Sequence, residues 1–413
     1  MSNKSILLIS HNFYPEPTGI GKYNGEMMNW LAANGNDCTV ITTFPYYPHW
    51  KVQAPYKNVW YKKEKKNVGS GSLTVYRCPL YVPANPTGKK RILQDFSFWV
   101  SMIWIVFKFI LSGKKFDLII TIAPPFHLAY LGTMLKKFTG GKLLYHVQDL
   151  QIEAAQDLNM LSSDKLFSRL YKIEKNILNK ADFISSISEG MIGKIEAKAG
   201  RDVFFFPNWV EVNQFYPITE REQLKIKWGY KADDIIFQYS GAIGEKQGLE
   251  AILQAAESLA DKKNIKFIIC GSGPYKEKLI NIVTEKKLEN VFFLPVQDKE
   301  VFNEFLNLAD IHLILQKHSA SDLVMPSKLT TILAVGGVSI ITAPKDTSLY
   351  NLTKKYNIGY LVEPENGPLL LQAILDIQAD NTIEQKRKNA RQYAIDYLNI
   401  DNIMKDFTCN FLN

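Results

Sequence analysis

The clearest signal of the fold class lies in Ser321-Asp-Leu-Val-Met-Pro-Ser-Lys-Leu-Thr-Thr-Ile-Leu-Ala-Val-Gly-Gly-Val-Ser-Ile-Ile341. It predicts a loop and then a helix from about Lys328 to Val335 that ends at Gly336 and Gly337. The β-branched residues that follow predict a strand. A helix joined by a tight turn to a strand is typical of an α/β fold.

The start of this helix is suited to binding a phosphate group. Pro326 fits the first helical turn, where its missing N–H would be unpaired anyway, and Ser327 is a candidate cap. The helix N-terminus offers free N–H groups and a partial positive charge, to which Lys328 adds a full charge, and Leu329 follows inside the helix. The alternative is an ordinary junction of helix and strand with a surface lysine.

Two further predicted strands end in glycine-rich loops. Residues 235–239 run into a loop that contains Gly241 and Lys246, and residues 265–270 open into Gly271 and Gly273. Open α/β sheets bind ligands at the carboxyl ends of their parallel strands. The three loops and their lysines are therefore predicted to meet at one edge of a sheet.

Together these loops resemble the donor half of a family 4 glycosyltransferase, whose fold is the GT-B fold. The resemblance implies an α/β protein with two Rossmann-like domains that face each other across a cleft, and a nucleotide-sugar donor bound by the second domain. Asn290-Val-Phe-Phe-Leu-Pro-Val-Gln297 matches the family strand whose following backbone contacts the nucleotide base. Val296 is the candidate residue at that place.

A long loop near the amino terminus contains Gly19 and Gly21 and leads into a helix predicted from about Tyr23. A dinucleotide-binding fingerprint needs a third glycine three residues after the second, and Asn24 stands there instead. The family resemblance implies that this loop faces the donor phosphates and the acceptor. A flexible loop without a ligand is the alternative.

Two predicted strands of the first domain end in polar residues. His127 follows an Ala-Pro-Pro-Phe run, and His146 and Asp149 lie in a His-Val-Gln-Asp-Leu run. Both patterns resemble the subgroup that adds fucose-type or N-acetylfucosamine-type sugars in colanic-acid, capsule and O-antigen synthesis, although the second continues Gln-Ile-Glu-Ala where many members have Trp-Pro-Glu-Ser. The resemblance makes these three residues catalytic candidates near the reacting sugar, whereas a lone histidine is more often structural.

The most hydrophobic segment, residues 96–111, contains Lys108 and has basic residues on both sides. It is too short to span a bilayer comfortably, which takes about 20 residues. Residues 1–115 hold 15 Lys and Arg against 5 Asp and Glu. An apolar helix with tryptophans and basic flanks fits the headgroup layer of an anionic membrane, and a buried crossover helix is the alternative. No nucleic-acid-binding motif accompanies the charge, so nucleic acid is not an expected partner.

The composition fits a soluble protein of two domains, with 413 residues of which 46% are hydrophobic and 22% charged. The four cysteines lie far apart, which favours neither a disulfide framework nor a zinc site, and no signal peptide is recognised, so a cytoplasmic location is expected. A Pro-Asn-Trp-Val turn at Pro207 resembles the Pro-Asn-Gly-Val turn that closes the first domain in the family. We predict domains over residues 1–207 and 208–390, and a C-terminal helix over 391–413 that packs back towards the first domain.

The sequence also indicates how a diphosphate leaving group would be stabilised. It has no convincing Asp-x-Asp cluster of the kind that metal-dependent transferases use, and Lys246 and Lys328 supply positive charge instead, so no metal or other cofactor is expected. Two positions depart from the family pattern, because Ala242 stands where arginine is common and Thr331 where glutamate is common. The resemblance implies retention of the anomeric configuration by same-face attack, with the donor phosphate assisting deprotonation of the acceptor.

The sequence therefore predicts a retaining, metal-independent glycosyltransferase of the hexosyltransferase type. It would move a sugar from a nucleotide sugar to a lipid-linked or oligosaccharide acceptor in surface polysaccharide biosynthesis, as a cytoplasmic enzyme peripheral on the inner face of the cell membrane. Two alternatives stay open. One is a nucleotide-sugar epimerase of the same fold, and the other is a non-catalytic membrane-bound scaffold.

Overall fold

The chain folds into two compact α/β units in this computed structural model. The first unit comprises Met1–Pro207 together with Ile403–Asn413, and the second comprises Asn208–Asn402. The residues that the structure describes are 3–16, 19–153, 164–318 and 326–412.

Over its described residues, the first unit is built on one eight-stranded sheet. Its strands in chain order are β1 (Ser5–Ile9), β2 (Asp37–Thr43), β3 (Lys62–Val68), β4 (Gly71–Cys78), β5 (Leu118–Ala123), β6 (Lys142–Val147), β7 (Phe183–Ser186) and β8 (Phe204–Phe205). They lie in the order β3-β4-β2-β1-β5-β6-β7-β8, and only β3 pairs antiparallel. Every residue of β5 is buried, as expected for a parallel strand covered on both faces. The described helices of this part are α1 (Gly19–Ala33), α2 (Gly88–Leu111), α3 (Leu128–Thr139), α4 (Asp164–Lys180) and α5 (Glu189–Ala199).

Strand β3 is an element that the sequence does not predict. Its residues, Lys62-Lys-Glu-Lys-Lys-Asn-Val68, lie in what the sequence indicates as a loop, because they show no alternation of apolar and polar side chains. The strand pairs with β4 through a turn at Gly69, whose φ is +56°. Lysines are poor strand formers, but at the edge of a sheet they discourage pairing with another chain, and this explains their presence in β3.

The described part of the second unit has a six-stranded parallel sheet. Its strands are β9 (Ile235–Ser240), β10 (Ile265–Cys270), β11 (Val291–Leu294), β12 (Ile311–Ile314), β13 (Ser339–Thr342) and β14 (Gly359–Val362). They lie in the order β11-β10-β9-β12-β13-β14. The helices are α6 (Arg221–Lys227), α7 (Glu250–Ser258), α8 (Lys276–Glu285), α9 (Phe302–Leu308), α10 (Lys328–Ala334), α11 (Ser348–Tyr356), α12 (Gly367–Ile377) and α13 (Ile383–Tyr397). The strand order reverses between β9 and β12, and such a switch point is where α/β sheets bind ligands.

The last two helices belong to different units. Helix α13 lies in the second unit, where Arg391 donates hydrogen bonds to the carbonyls of Val212, Phe215 and Ala334. The final helix, α14 (Ile400–Phe411), joins the first unit from Ile403 onwards. The expected return of residues 391–413 to the first domain therefore begins later, since residues 391–402 remain with the second unit.

Helix α2 has two different faces along its 24 residues. It begins after Thr87, whose side chain accepts a hydrogen bond from the Lys90 N–H, and so starts before the apolar segment predicted at residue 96. Phe98, Met102 and Val106 are buried on one face. By length and composition α2 is the one described helix that could cross a membrane. Of its most apolar 18-residue stretch, 33% is buried. A fully buried crossover helix does not fit, because the opposite face is exposed.

Candidate active site

The glycine loops after β9 and β10 interlock through their backbones. The Gly241 N–H donates to the Cys270 carbonyl at 3.0 Å, and the Ile243 N–H donates to the Ser272 carbonyl at 2.9 Å. These bonds continue the pairing of β9 with β10 beyond the strands themselves. The predicted meeting of these two loops at one edge of the sheet is therefore present.

The close approach of these loops explains their glycines. A Cβ at Gly271 would lie 1.9 Å from the Gly241 carbonyl oxygen, and one at Gly273 would lie 2.1 Å from the Ile243 carbonyl oxygen. No side chain fits in such a space without moving the backbone. Whether these glycines contact a donor stays a prediction, but their identity already follows from the packing of the two loops.

Lys328 reaches the same edge from the start of α10. Its Nζ lies 3.7 Å from the centre of the Tyr239 ring and 3.3 Å from the place that a Cβ on Gly241 would occupy. The Tyr239 hydroxyl in turn donates to the Ala242 carbonyl at 2.7 Å. Lys328, which follows this loop by nearly ninety residues in sequence, therefore places its ammonium group against the loop after β9.

The Lys328 ammonium is buried and has no hydrogen-bond acceptor within the described ranges. The residue as a whole is partly exposed, but Nζ itself is not. Burial lowers the pKa of Lys328 to about 7, because an ammonium group without water or a counter-ion is disfavoured. The cation–π contact with Tyr239 offsets only part of that cost. An anionic ligand would supply the missing partner.

The remaining residues predicted on the donor side have mixed surroundings. Lys246 lies in a short 3-10 turn, Glu245–Gln247, with its side chain exposed. Its carbonyl accepts a hydrogen bond from the Lys317 N–H at 3.0 Å. Val296 is 66% exposed after β11. The structure thus joins Lys328 to the Gly241 loop directly, while Lys246 lies further along that loop.

The start of α10 differs in detail from the prediction. Ser327 stands at the N-cap position, but its side chain makes no capping hydrogen bond and is exposed. The Leu329 N–H donates instead to the Pro326 carbonyl at 3.0 Å, and the Leu329 side chain is buried in the core. The helix ends at Ala334 and has only seven residues, so its dipole is weak. The quoted residues 321–325 lie outside the described residues.

In the first unit, Gly19 and Gly21 do not lie in a loop. They form the first turn of α1, which begins at Gly19. The sequence alone could not show this, because its pattern does not distinguish a loop from a helix start that contains glycines. Gly21 packs against Glu16, whose side-chain Cβ and Oε2 would each be 2.8 Å from an added Cβ. The Glu16 carboxylate is buried and accepts hydrogen bonds from the N–H groups of Tyr46 and Tyr47. Packing against Glu16 within this unit therefore explains why residue 21 is a glycine.

The three catalytic candidates occupy different surroundings. His146 lies inside β6, 3% exposed, with its Nδ1 2.9 Å from the Ser185 hydroxyl, and burial lowers its pKa to about 3. This setting fits a structural residue better than the predicted catalytic one. Asp149 lies two residues after β6 and is half-buried. His127 immediately precedes α3, and burial also lowers its pKa.

The structure adds two residues that the sequence reasoning missed. His11 Nε2 lies 3.5 Å from an oxygen of Asp95, and the Tyr46 hydroxyl lies 3.0 Å from His11 Nδ1. The sequence did contain a feature that could have pointed to each of them. His11 comes two residues after β1, and Asp95 is the one acidic residue of the apolar helix α2. Burial, with a contribution from His127, lowers the pKa of His11 to about 3.

Two comparisons match almost the whole chain to known sequences. Residues 220–397 match the family model described as glycosyl transferases group 1, and residues 18–209 match the glycosyl transferase 4-like domain. The Escherichia coli K12 glycosyl transferase WcaI, whose name assigns it to colanic acid biosynthesis, is 38% identical over 419 residues. That alignment covers 97% of this chain and 98% of WcaI.

Solved structures share the fold at low sequence identity. Sucrose-phosphate synthase from Thermosynechococcus elongatus superposes with a TM-score of 0.76 at 18% identity, covering 99% of this chain and 98% of its own. Anabaena HepE in complex with UDP and glucose superposes with a TM-score of 0.67 at 14% identity, covering 99% of each chain. These likenesses show the GT-B fold, as predicted from the sequence.

Proposed function

The chain belongs to the glycosyl transferases group 1 family, and from that premise we propose that it moves a sugar from a nucleotide-sugar donor to a lipid-linked or oligosaccharide acceptor in surface polysaccharide biosynthesis. The glycosyltransferase activity itself comes with the family. The polysaccharide role rests on the similarity to WcaI, which is named for colanic acid biosynthesis. The donor class rests on the glycine loops of the second unit, and HepE, of the same fold, was solved with UDP.

The observation that carries the donor proposal is the buried ammonium group of Lys328 beside Gly241. A buried cation that has no hydrogen-bond acceptor among the described residues costs free energy, and a diphosphate bound at the loop would remove that cost. The same contact would gain strength as negative charge grows on the leaving oxygen. Lys246, exposed on the same loop, would add a second positive charge.

The proposed reaction exchanges one C–O bond for another. The bond between the anomeric carbon and the donor phosphate breaks, and its electron pair leaves with the nucleoside diphosphate. An acceptor hydroxyl oxygen bonds to the same carbon from the same face, and its proton passes to a phosphate oxygen. The anomeric configuration is retained, and no enzymic nucleophile is needed.

Metal independence is part of the same proposal. Within the part of the chain that the structure describes, no group of three or more His, Cys, Asp and Glu side chains could hold a metal ion. Lys328 and Lys246 would supply the positive charge that a divalent cation supplies elsewhere. Transfer measured with and without EDTA tests this point directly.

We also propose that α2 lies on the inner face of the cell membrane. Large apolar side chains recur along its outer face at helical spacing, and all are about half exposed or more: Leu93, Phe96, Val100, Trp104, Phe107 and Leu111. Lys89, Lys90 and Arg91 are exposed at the start of α2. Lys63 and Lys65 of β3 are close enough to Lys114, just beyond α2, to lower its pKa, although burial contributes more. An apolar stripe with basic surroundings fits an anionic leaflet.

The donor site is tested by two substitutions and a control. Lys246→Ala and Lys328→Ala are each expected to lose at least about tenfold in transfer, which corresponds to about 1.4 kcal/mol of transition-state stabilisation. Lys262→Ala removes an exposed lysine of the same unit and should leave transfer unchanged. Full activity in both site variants would remove the proposed phosphate contacts.

The donor is identified first by thermal shift against a panel of nucleotide sugars. Transfer is then measured with the best donor, with and without a prenyl diphosphate-linked sugar. Nucleotide release that requires the acceptor supports the proposal, and NMR of the product anomer tests retention. Epimer formation or release without any acceptor would contradict it in favour of the epimerase.

A further inference from the structure

The first unit has a polar cluster at the carboxyl ends of two adjacent strands. β1 and β5 pair in parallel, and His11 follows β1 by two residues while His127 follows β5 by four. Asp95 reaches the cluster from α2, with a carboxylate oxygen 3.5 Å from His11 Nε2. The carboxyl edge of a parallel sheet is where such folds place their ligand-binding groups.

The polar atoms of this cluster have unused hydrogen-bonding capacity. The Nε2 atoms of His11 and His127 are buried and make no hydrogen bond to any described residue. The contact of His11 with Asp95 is longer than an ordinary N–H to O hydrogen bond. Buried polar groups are normally satisfied, so several unsatisfied ones in one place indicate room for a polar partner.

Asp95 does not form an ion pair with His11. Burial holds the pKa of His11 near 3, so its ring is neutral at physiological pH. When the Tyr46 hydroxyl donates to Nδ1, the other nitrogen of His11 carries the proton and directs it at Asp95. The neutral His11 ring thus faces the carboxylate without neutralising its charge, and among the described residues Arg91 is a cation that acts on Asp95.

Burial also raises the pKa of Asp95 to about 7, against the opposing effect of Arg91. A half-charged, largely buried carboxylate whose contact with His11 is as long as 3.5 Å costs stability. Its side chain is 21% exposed, so a ligand can reach it. Phe126 contacts the ring of His127, with 5.9 Å between the ring centres, and is only partly buried. A carboxylate beside imidazole and aromatic rings suits a sugar, whose hydroxyls donate and whose C–H faces pack.

We propose that Asp95, which lies against the His11 ring, accepts a hydrogen bond from a hydroxyl of the acceptor sugar. This inference rests on the proposed transfer and names the residue of the first unit that holds the acceptor. Asp95 lies on the same helix as the exposed apolar stripe and directly precedes Phe96, which is 58% exposed. A sugar at Asp95 would therefore lie within about one helical turn, roughly 5 Å, of that stripe, which suits an acceptor carried on a lipid.

The test measures binding of sugar probes separately from transfer. The probes are the methyl glycosides of glucose, galactose and fucose, titrated by saturation-transfer NMR into native protein, Asp95→Asn, Asp95→Glu and the control Glu189→Gln. Glu189 is an exposed carboxylate of the same unit. Asp95→Asn is expected to weaken binding at least tenfold, Asp95→Glu to retain part of it, and Glu189→Gln to match the native protein. Thermal shift by the nucleotide sugar should be the same in all four.

The pH dependence separates binding from a merely structural role. The charged and titratable groups that face Asp95 are His11, Tyr46, Arg91 and His127. Of these, burial lowers the pKa of both histidines, and the charge of Arg91 opposes the rise in the pKa of Asp95. Native affinity should rise about tenfold from pH 6 to pH 8 as Asp95 ionises, since its charged fraction rises by about that factor. The Asp95→Asn variant should show no such rise.

The outcomes distinguish this inference from the proposed function. Native protein that binds none of the probes, or Asp95→Asn that binds them as well as native protein does, would overturn the inference. Probe binding that depends on Asp95, together with no transfer from any nucleotide sugar, would support the inference and overturn the proposed function. Loss of folding in Asp95→Asn is checked by its unfolding temperature, and Asp95→Glu then carries the comparison.

Discussion

Replacing Lys328 by methionine is expected to make the protein more stable and less active. Methionine has a similar length and no charge, so it removes the buried ammonium group and keeps most of the packing against Tyr239. Most substitutions of buried residues destabilise a protein, so a stabilising one at this position would mark a group retained for binding. The expectation follows because Nζ has no hydrogen-bond acceptor in the part of the chain that the structure describes.

The magnitude follows from the pKa shift. A fall in the pKa of Lys328 from 10.5 to about 7 corresponds to an upper limit of about 5 kcal/mol. Relaxation and water entry reduce such costs, so we expect a gain of about 1–2 kcal/mol. The folded protein binds fewer protons than the unfolded chain between about pH 7 and 10.5, so native stability rises with pH across that window. The advantage of Lys328→Met should be full below pH 7 and vanish by about pH 10.5.

The assay is thermal unfolding of native protein, Lys328→Met and the surface control Lys262→Met at pH 6 and pH 9.5. A gain of 1–2 kcal/mol in a unit of this size raises the unfolding temperature by about 2–8 °C. Lys328→Met should show this rise at pH 6, a smaller one at pH 9.5, and a reduced response to nucleotide sugar. Lys262→Met should show neither change. A Lys328→Met protein that is less stable at pH 6 and responds fully to the nucleotide would refute the reasoning.

Three further predictions concern a glycine loop, a glycine inside a helix and the membrane face. Gly271→Ala is expected to destabilise the second unit by at least about 2 kcal/mol and to abolish the nucleotide response. The reason is that the added Cβ would collide with the Gly241 carbonyl oxygen. A denaturant midpoint equal to that of the native protein would contradict this prediction. Gly193→Ala, where an added Cβ meets nothing within 4 Å inside α5, should instead stabilise the protein by about 0.5–1 kcal/mol. Changing Trp104 and Phe107 together to serine should release the protein from vesicles of anionic phosphatidylglycerol with an unchanged unfolding temperature, since both side chains are more than half exposed; continued sedimentation with the vesicles would argue against the membrane face.

Local sequence patterns predicted much of this fold. The continuous apolar run Ile6-Leu-Leu-Ile9 is typical of a buried parallel strand and lies in β1, and glycines after 235–240 and 265–270 indicated where the chain turns at the strand ends. The helix predicted from about Lys328 to Val335 is present as α10, which ends one residue earlier. These features depend on neighbours within a few residues, so periodicity and turn chemistry were enough.

Other features escaped the sequence because no local pattern encodes them. The lysine-rich β3 is a strand only because β4 offers it a free edge. The first turn of α1, with two glycines, is indistinguishable from a loop until Glu16 is seen packed against Gly21. The environment of His146 likewise depends on Ser185 of the neighbouring strand.

The class of fold, the glycine loops at the strand ends and the family resemblance could all be predicted from local sequence patterns. The burial of the Lys328 ammonium beside Gly241, and the position of Asp95 against His11, eighty-four positions away in the chain, became visible only in the folded protein. The physical reason is that the charge state of a side chain depends on the water and partners around it. Those are set by packing between distant segments, which a one-dimensional pattern does not contain.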